Sequence, residues 1–498
     1  MKEITKVVLP LLLFVLTACS STDVAEKPVY RQISDLYGKK VACTIGSSQE
    51  ANLSANHPQI EILRFDTDAD LLNALSTYKC EGATFDYHIY AYFNQIMGGL
   101  TTLEEPLFRV GIGASFGKGV NVELREQFNA FIQQLKDQGI YDQMIDRWIN
   151  NAHTSTMPDI PVPVDGKPLR VGTHSSAPPL VFMKDGEFVG MDIELVKRFA
   201  AHIGRPVVFS DMNFSALIPS LVSGTQDMII CGINITEERK LSVDFSDPYY
   251  YCNAVMVIRK ENSPGYVSGS DNPQKGSFIE SVKTGFKRNI LEEKRYMLIL
   301  DGLKITVIIS LLSCLLGTLL GALVCWMRMS RRKFLNWIAN IYIALMRGMP
   351  VLVLLMIMFY VIFAGTSVNP VTVAVITFGM NFAAYVSEMF RSAIESVDKG
   401  QTEAGVALGF TPFKTFIYIV LPQAFKQVLP VFKGETISLV KTTSIVGFIA
   451  VQDLTKVGDI IRSRTFDAFF PLIMVAVLYF IISWLFAAIL DFIGKKAS

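Results

Sequence analysis

The chain has 498 residues, of which 51% are hydrophobic, with a mean hydropathy of +0.36 and a formal net charge of +1. This composition is too apolar for an ordinary soluble protein, and the balanced charge gives no indication of a nucleic-acid partner. Residues 30–290 have the composition of a soluble region, whereas residues 296–495 carry most of the long apolar runs. Length and asymmetry together predict about three domains, the last of them in a membrane.

The N-terminus combines two lysines with a short apolar run that ends in Leu-Thr-Ala-Cys. The run is shorter than the roughly 20 residues that span a bilayer. It resembles a bacterial lipoprotein signal, which implies a signal peptide of 1–18, a lipid on Cys19 and a tether over 19–30. The alternative is a plain signal peptide or signal anchor in which Cys19 is incidental. Either form predicts that the next segment is exported.

Short strands alternate with helices in the exported region, which predicts α/β layers with mainly parallel sheets. Two linkers rich in Pro, Gly, Ser or Asn are predicted at 153–167 and 263–290. The predicted elements are strand 39–45, helix 69–78, strand 82–87, helix 121–149 broken at Gly139, strand 169–174, helix 192–204, strand 206–211, helix 215–224 and strand 227–233.

The C-terminal region, 291–498, is predicted to be all-α and to cross the membrane five times. Basic clusters after the first and last apolar runs place those ends in the cytoplasm by the positive-inside rule. The N-terminus is therefore expected outside and the C-terminus inside, and the resemblance to a lipoprotein signal implies the cytoplasmic (inner) membrane of a bacterium. The predicted spans are 305–327, one within 335–363, 371–394, one within 431–451, and 471–492.

The stretch EAGVALGFTPFKTFIYIVLP, residues 403–422, interrupts the spans on the cytoplasmic side. It predicts a short helix that Gly409 ends or bends, and a second helix that begins near Pro412. Its pattern resembles the cytoplasmic loop of ABC importer permeases, which implies docking to an ATPase subunit; the alternative is a loop helix without a partner. The matching residues are Glu403, Ala404, Gly405 (where the family usually has Ala), Gly409, Ile419, Leu421 and Pro422.

Two further stretches, RGMPVLVLLMIMFY and NFAAYVSEMFRSAIESVDKGQTEA, resemble polar amino-acid permeases, and the resemblance covers nearly all of 291–495. Within the third span, Glu388 and Arg391 are three residues apart and can pair. Charged groups inside a membrane are costly and often functional. The pair is therefore a candidate for the substrate path, or alternatively an ion pair near the cytoplasmic interface.

Neither a phosphate-binding loop nor a metal-binding pattern is present in the sequence. The segment GASFGKGV lacks the spacing and the Ser or Thr of a phosphate loop, so ATP and Mg²⁺ are expected on a separate ATPase subunit, and this chain is not expected to be an enzyme. The seven cysteines form no Cys-x-x-Cys pair and no Cys/His cluster. A disulfide between Cys43 and Cys80 stays open as a possibility outside the cytoplasm.

Residues 169–262 resemble the opening of amino-acid-binding proteins of ABC importers, which form a two-lobed clamshell. The resemblance gives Arg239 the role of binding the ligand α-carboxylate, for which a planar guanidinium is suited. It also implies that Phe214 packs on the ligand. The strand end that carries Cys231, Gly232 and Asn234 would bind the same zwitterion.

The lobes are predicted in permuted order. Residues 31–108 resemble the second lobe (lobe 2), and in them Asp86 is the expected partner of the ligand ammonium. Residues 109–152 resemble the terminal part of lobe 1, and residues 168–262 resemble its main part. The alternatives are a tandem pair that lost its outer halves, a degenerate domain that no longer binds, and lobes exchanged between two chains.

Ser47 and Ser48 also match the ligand site of lobe 2, whereas two positions of lobe 1 depart from the family. His174 stands where the family usually has Asp, and Ala177 where it has an aromatic residue. Loss of that Asp removes a partner for a basic side chain. The hypothesis is a neutral-polar or acidic ligand, with glutamine as the suggestion.

The combined pattern predicts the receptor and permease of a polar amino-acid ABC importer, fused in one chain. A transport path needs two permease copies, most simply a homodimer, together with an ATPase subunit and a free amino acid. Two other functions are considered: a ligand-gated channel, which lacks a recognisable filter here, and a transport-dead amino-acid sensor.

Overall fold

The computed structural model describes residues 28–266 and 283–497, except 365, 367, 466, 468 and 469. The predicted signal peptide and Cys19 lie outside these residues. Residues 28–266 form two α/β lobes, and residues 283–497 form a helical region. The end of the predicted linker 263–290 is helical, because the helix that leads into the first apolar run begins at Lys283.

Both lobes are built on a central β-sheet. The strands of the described residues are β1 Lys40–Thr44, β2 Glu61–Phe65, β3 Gly82–Asp86, β4 Leu100–Thr102, β5 Phe108–Ile112, β6 Ser115–Gly117, β7 Leu169–Thr173, β8 Ser176–Ala177, β9 Val181–Lys184, β10 Glu187–Val189, β11 Val207–Asp211, β12 Met228–Ile229, β13 Val243–Phe245 and β14 Tyr250–Arg259.

The sheet of lobe 2 has the order β2-β1-β3-β14-β4, with β5 also paired to β14, and the sheet of lobe 1 has the order β11-β7-β12-β6-β13. Strands joined through helices run parallel, such as β1 with β2 and β7 with β11. By contrast, β14 and β6 run antiparallel to their neighbours. The sheets are therefore mixed rather than mainly parallel, because each receives a strand from the other chain segment without a helical crossover.

Strand β14 corrects the predicted lobe boundary. The sequence assigns 168–262 to lobe 1, but Ala254–Ile258 of β14 pair with β3 in the sheet of lobe 2. The first half of β14 pairs with β5, and these two strands form the connection between the lobes. Tyr249 accordingly packs in the core of lobe 1 and Val257 in the core of lobe 2.

Helices cover the sheets of both lobes and make up the region after residue 283. Among the described residues they are α1 Ser48–Asn56, α2 Asp68–Ser76, α3 Tyr87–Met97, α4 Val122–Asp137, α5 Ile140–Ile145, α6 Met191–His202, α7 Phe214–Val222, α8 Glu237–Lys240, α9 Arg295–Met329, α10 Lys333–Gly348, α11 Val351–Ile357, α12 Pro370–Glu395, α13 Lys399–Ala407, α14 Pro412–Thr415, α15 Leu421–Thr442, α16 Leu454–Thr465 and α17 Phe470–Ala497.

The segment after α5 fastens the 122–150 region to lobe 1. Glu194 of α6 is fully buried and accepts hydrogen bonds from Arg147 at 2.7 and 2.8 Å and from the indole nitrogen of Trp148 at 2.7 Å. Trp148 is itself fully buried in the core of lobe 1. Because a buried carboxylate needs charged or hydrogen-bonding partners, this contact fixes where the segment docks.

Four helices of the described residues are long and apolar enough to cross a membrane, or up to five if one bent pair counts as a span. They are Lys283–Met329, Pro370–Glu395, Pro412–Ile449 and Phe470–Lys495, and the bent pair is Lys333–Gly348 with Val351–Ile362. The sequence predicts one span within 335–363, but its two halves meet at 107°. Pro350 explains the bend, because a residue before proline avoids the α conformation and Met349 is extended at ψ 142°.

Candidate functional site

The cleft between the lobes contains a cavity of about 60 Å³. Every ligand-binding residue predicted from the sequence lines it. These residues are Ser47, Ser48 and Asp86 from lobe 2, and His174, Phe214, Cys231, Gly232, Asn234 and Arg239 from lobe 1. The structure thus brings together residues that are almost 200 positions apart in the chain.

Arg239 lies on the lobe 1 side of the cavity. It is in the short helix α8, which Thr236 caps by accepting a hydrogen bond from the Arg239 amide. The guanidinium donates to the carbonyl oxygen of Asn234 at 2.9 Å and, across the cleft, to that of Gly46 at 2.8 Å. It also lies 5.4 Å from the centre of the Phe214 ring. A buried guanidinium with donors aimed into a cleft suits a carboxylate ligand.

Asp86 lies on the lobe 2 side, at the junction of β3 and α3. Its carboxylate accepts hydrogen bonds from the Gln49 amide at 2.7 Å and from the Asn234 amide at 3.5 Å. The side chain is 5% exposed, and burial raises the pKa of Asp86 to about 6. A buried carboxylate of this kind is stabilised in its charged form by a cation such as an ammonium group.

The two lobes are closed on each other at this point. In addition to the bond from Arg239 to Gly46, the Asn234 amide donates to the Ser48 hydroxyl at 2.8 Å. These contacts use the groups that face the cavity from both sides. A zwitterionic ligand would exchange them for bonds to its own carboxylate and ammonium.

Four polar residues of the cavity were not predicted from the sequence: Thr44, Gln49, Asp68 and Thr84. Asp68 is the first residue of α2 and accepts a hydrogen bond from the Thr44 hydroxyl at 2.9 Å. Burial raises the pKa of Asp68 to about 7. The Thr-Asp-Ala-Asp sequence at 67–70 is a helix-start signal that places this carboxylate after a strand, and it could have indicated the position.

His174 and Ser47 act partly as structural groups at the cavity edge. The Nδ1 atom of His174 lies 2.9 Å from the carbonyl oxygen of Met212. Burial, with a smaller effect from Lys456, lowers the pKa of His174 to about 4, so the ring is neutral. Ser47 caps α1 by accepting a hydrogen bond from the Glu50 amide at 3.1 Å.

The disulfide left open for lobe 2 is not formed. Cys43 and Cys80 are both buried free thiols. Burial is the largest cause that raises the pKa of both thiols, to about 12 for Cys43 and about 11 for Cys80, so they are protonated at neutral pH.

The segment 403–422 has the helix-turn-helix form that the sequence predicts. Glu403, Ala404 and Gly409 are exposed, and Gly409 follows α13 with a left-handed φ of +86°. Gly405 is buried, and a Cβ atom there would lie 2.6 Å from a methyl group of Thr415. This close packing against the next helix gives a physical reason why Gly replaces the family's usual Ala.

Glu388 and Arg391 form the predicted ion pair, at 2.8 Å. Arg391 also pairs with Glu395 at 2.6 Å, and Glu388 lies 3.6 Å from Arg328. Glu388 lines a cavity of about 470 Å³ that also contains the charged side chains of Arg347 and Glu435, whereas Arg391 does not line it.

The helical region is similar to amino-acid permeases along almost their whole length. The "Probable amino-acid ABC transporter permease protein YckA" of Bacillus subtilis (strain 168) is 37% identical over 199 residues, which are 40% of this chain and 88% of that protein. The chain belongs to the amino-acid ABC transporter permeases. The "L-cystine transport system permease protein TcyB" of the same strain is 34% identical over 218 residues, covering 43% of this chain and 93% of that permease.

The permease carries a solute-binding domain in the same chain. Residues 169–406 match the family "Bacterial extracellular solute-binding proteins, family 3". The first part of that match covers the main part of lobe 1 and strand β14, and the later part falls on helices of the permease region, where the described residues form no sheet. The protein is therefore an amino-acid ABC importer permease, a membrane protein, with an extracellular solute-binding domain.

Two solved structures are similar to parts of the chain. "Crystal structure of an amino acid ABC transporter with histidines" is 32% identical, covers 45% of this chain and 100% of that chain, and has a TM-score of 0.39. "Crystal structure of the arginine-bound form of domain 1 from TmArgBP" is 39% identical, covers 19% of this chain and 82% of that chain, and has a TM-score of 0.17.

Proposed function

We propose that this permease binds a polar amino acid as a zwitterion between its own two lobes and transports it with a separate ATPase. The observation that carries the proposal is that Arg239 and Asp86, of opposite charge, face one cavity from opposite lobes. Ligand carboxylate and ammonium groups would bridge them. In the complex the ligand carboxylate would replace the Gly46 carbonyl as the partner of Arg239, and the ligand ammonium would replace the Gln49 amide as the partner of Asp86. Because the ligand groups are charged, these bonds would be stronger and would favour closure.

We further propose that the clamshell is a permuted form of the family's domain. Support comes from the sheets, since each combines strands from both sides of the 153–167 linker. The family match also begins at residue 169, in the middle of the α/β region. A further support is that Glu194 of lobe 1 accepts hydrogen bonds from Arg147 and Trp148, which lie just before the linker.

The ligand we propose is a neutral amino acid of the glutamine type. Asp68 adds a second carboxyl to the cavity and disfavours an acidic ligand. Because the pKa of Asp68 is about 7, its protonated and ionised forms can both bond to a side-chain amide, which donates and accepts. Competition among glutamine, glutamate and arginine on the purified full chain tests this. Tighter binding of arginine or glutamate than of glutamine contradicts it.

The proposed ATPase site is the segment with Glu403, Ala404 and Gly405 of α13 and Gly409 after it; Gly405 is the buried member of this set. The same segment exposes apolar side chains, among them Leu408 and Phe413, at 78% and 73%. Apolar exposure of this kind marks protein interfaces. We expect a Glu403→Cys variant to crosslink to a co-expressed ATPase subunit, while Lys40→Cys on lobe 2 does not. Equal crosslinking at both positions contradicts the site.

The remaining parts of the proposal concern assembly and anchoring. They are five spans with the bent pair counted as one, a homodimer, an inner membrane with the C-terminus in the cytoplasm, and a lipid on Cys19. The proposed substrate-path candidates are Glu388 and Arg391, of which Glu388 lines the cavity that also contains Arg347. ATP-dependent uptake of glutamine into proteoliposomes tests transport itself. Binding without uptake would instead favour the sensor.

A further inference from the structure

Helix α16 is a polar element between the last two apolar helices of the permease. It is not among the helices apolar enough to cross a membrane, yet most of its residues are buried. It packs on α9 and α17, which are both apolar enough to cross a membrane. The Leu454 amide donates to the Thr306 hydroxyl of α9 at 3.1 Å. A Cβ atom at Gly458 would lie 2.6 Å from Val475 of α17. Helix α16 is therefore closely attached to both.

On its other side α16 contacts lobe 1. The ammonium group of Lys456 lies 3.7 Å from the carboxylate of Asp211 and 3.5 Å from the side-chain oxygen of Asn213. Lys456 is 3% exposed and the Asp211 side chain is fully buried. Asp211 in turn accepts hydrogen bonds from the amide and hydroxyl of Ser175, which follows His174 of the cavity.

The same helix also contacts lobe 2. Arg462, 9% exposed, forms an ion pair with Asp70 in the first turn of α2, two residues after Asp68 of the cavity. Arg464 donates to the Tyr92 hydroxyl of lobe 2 and lies 4.7 Å from the ring centre of Phe182, which belongs to lobe 1. All three cations of α16 thus reach the lobes, and together they contact both.

We infer that Lys456 and Arg462 are positioning residues that hold the two lobes in the closed arrangement and so strengthen ligand binding. The inference rests on the proposed function of the cleft. Helix α16 contacts both lobes at the same time, and it does so in the closed form, in which Arg239 and Asn234 bond across the cleft. Separating the lobes would break at least one of its ion pairs.

Linkage gives the direction of the effect. Contacts that exist only in the closed form shift the equilibrium towards closure, and a ligand that needs closure binds more tightly by the same factor. By reciprocity, ligand binding strengthens the contacts between the lobes and α16, and through it acts on α9 and α17. Ligand binding between the lobes is therefore coupled directly to the membrane helices α9 and α17.

The test measures affinity and lobe separation on the full chain in lipid nanodiscs. L-glutamine is titrated by calorimetry, and each other standard amino acid is titrated if glutamine is silent. Spin labels on Ala55→Cys of lobe 2 and Leu241→Cys of lobe 1, both exposed positions, report the distance between the lobes. Arg462→Gln and Lys456→Gln are compared with Lys433→Gln, whose ion pair with Asp491 joins two apolar helices away from the lobes.

We expect Arg462→Gln and Lys456→Gln each to weaken binding at least fivefold, the lower end of typical coupling effects. The label distance should lengthen in both, while Lys433→Gln matches the wild type. Asp70→Asn should weaken binding as Arg462→Gln does, and the double variant should be no weaker than either one. If the ion pair had a purely structural role, the variants would lower thermal stability without this non-additivity in ligand affinity.

Two outcomes overturn the inference. One is a folded Arg462→Gln or Lys456→Gln variant with wild-type affinity and wild-type label distance. The other is full additivity of Arg462→Gln with Asp70→Asn. If no amino acid binds the wild type, the proposed function fails instead, and the label distances alone then decide whether α16 holds the lobes closed.

Discussion

Ligand affinity should depend on pH, because Asp86 must be ionised to pair with the ligand ammonium. Its pKa, raised to about 6 by burial, means that about nine-tenths of the carboxyl is ionised at pH 7 and about one-tenth at pH 5. At pH 5 the ligand can bind only after Asp86 has lost its proton, whereas at pH 7 most Asp86 is already ionised. Affinity should therefore fall about tenfold between pH 7 and pH 5.

The second carboxyl makes the size of this effect informative. The pKa of Asp68 is raised to about 7, so a ligand that also needs Asp68 ionised would lose a further fiftyfold or so over the same interval. An amide ligand can bond to either form of Asp68 and avoids this loss. The assay is calorimetry of the full chain with glutamine at pH 5 to 7.5, with Asp68→Asn as the matched control.

The expected profile is a tenfold fall that Asp68→Asn leaves in place and Asp86→Asn removes along with most of the affinity. A pH-independent affinity in the wild type would refute the role of Asp86. A fall of several hundredfold that shrinks to tenfold in Asp68→Asn would refute the claim that glutamine binds both the protonated and the ionised form of Asp68.

Three other predictions concern folding. The pKa of buried Asp192 is raised to about 7, so its contribution to stability is lost as pH rises from about 4 to 7, and Asp192→Asn should flatten that part of the melting profile; an unchanged slope argues against it. Trp148→Ala should cost about 3–5 kcal/mol of lobe stability in denaturant titration, because it empties a fully buried site. Gly405→Leu should lower the melting temperature through its clash with Thr415, whereas Leu at exposed Ala407 should not.

Much of the fold could be predicted because glycines and prolines mark the ends of its elements. Gly139 separates α4 from α5 with a φ of +68°, and Gly409 ends the α13 segment in a left-handed conformation. The bend at Met349 carried such a signal in Pro350, but apolar periodicity continues through it and favours one span. Apolar pattern alone does not report the direction of a helix.

The cavity could be predicted only where a family pattern names the residue. Arg239 and Asp86 were identified in this way. Gln49 and Asp68 line the cavity because they lie in the first turns of α1 and α2, which no family pattern indicated. The contacts of α16 were not predictable, since Arg462 and Asp70 are 392 positions apart. The strand exchange through β14 was missed for a similar reason, because pairing partners are set by tertiary structure.

The central claim is that the cleft binds an amino-acid zwitterion through Arg239. The most direct measurement is calorimetric titration of the full chain with the standard amino acids, for wild type, Arg239→Ala and Arg109→Ala; Arg109 is exposed and lies over Tyr251. Two charge-assisted hydrogen bonds, each about 1.5–3 kcal/mol, predict at least a hundredfold loss for Arg239→Ala and none for Arg109→Ala. Wild-type affinity in a folded Arg239→Ala variant would contradict the account.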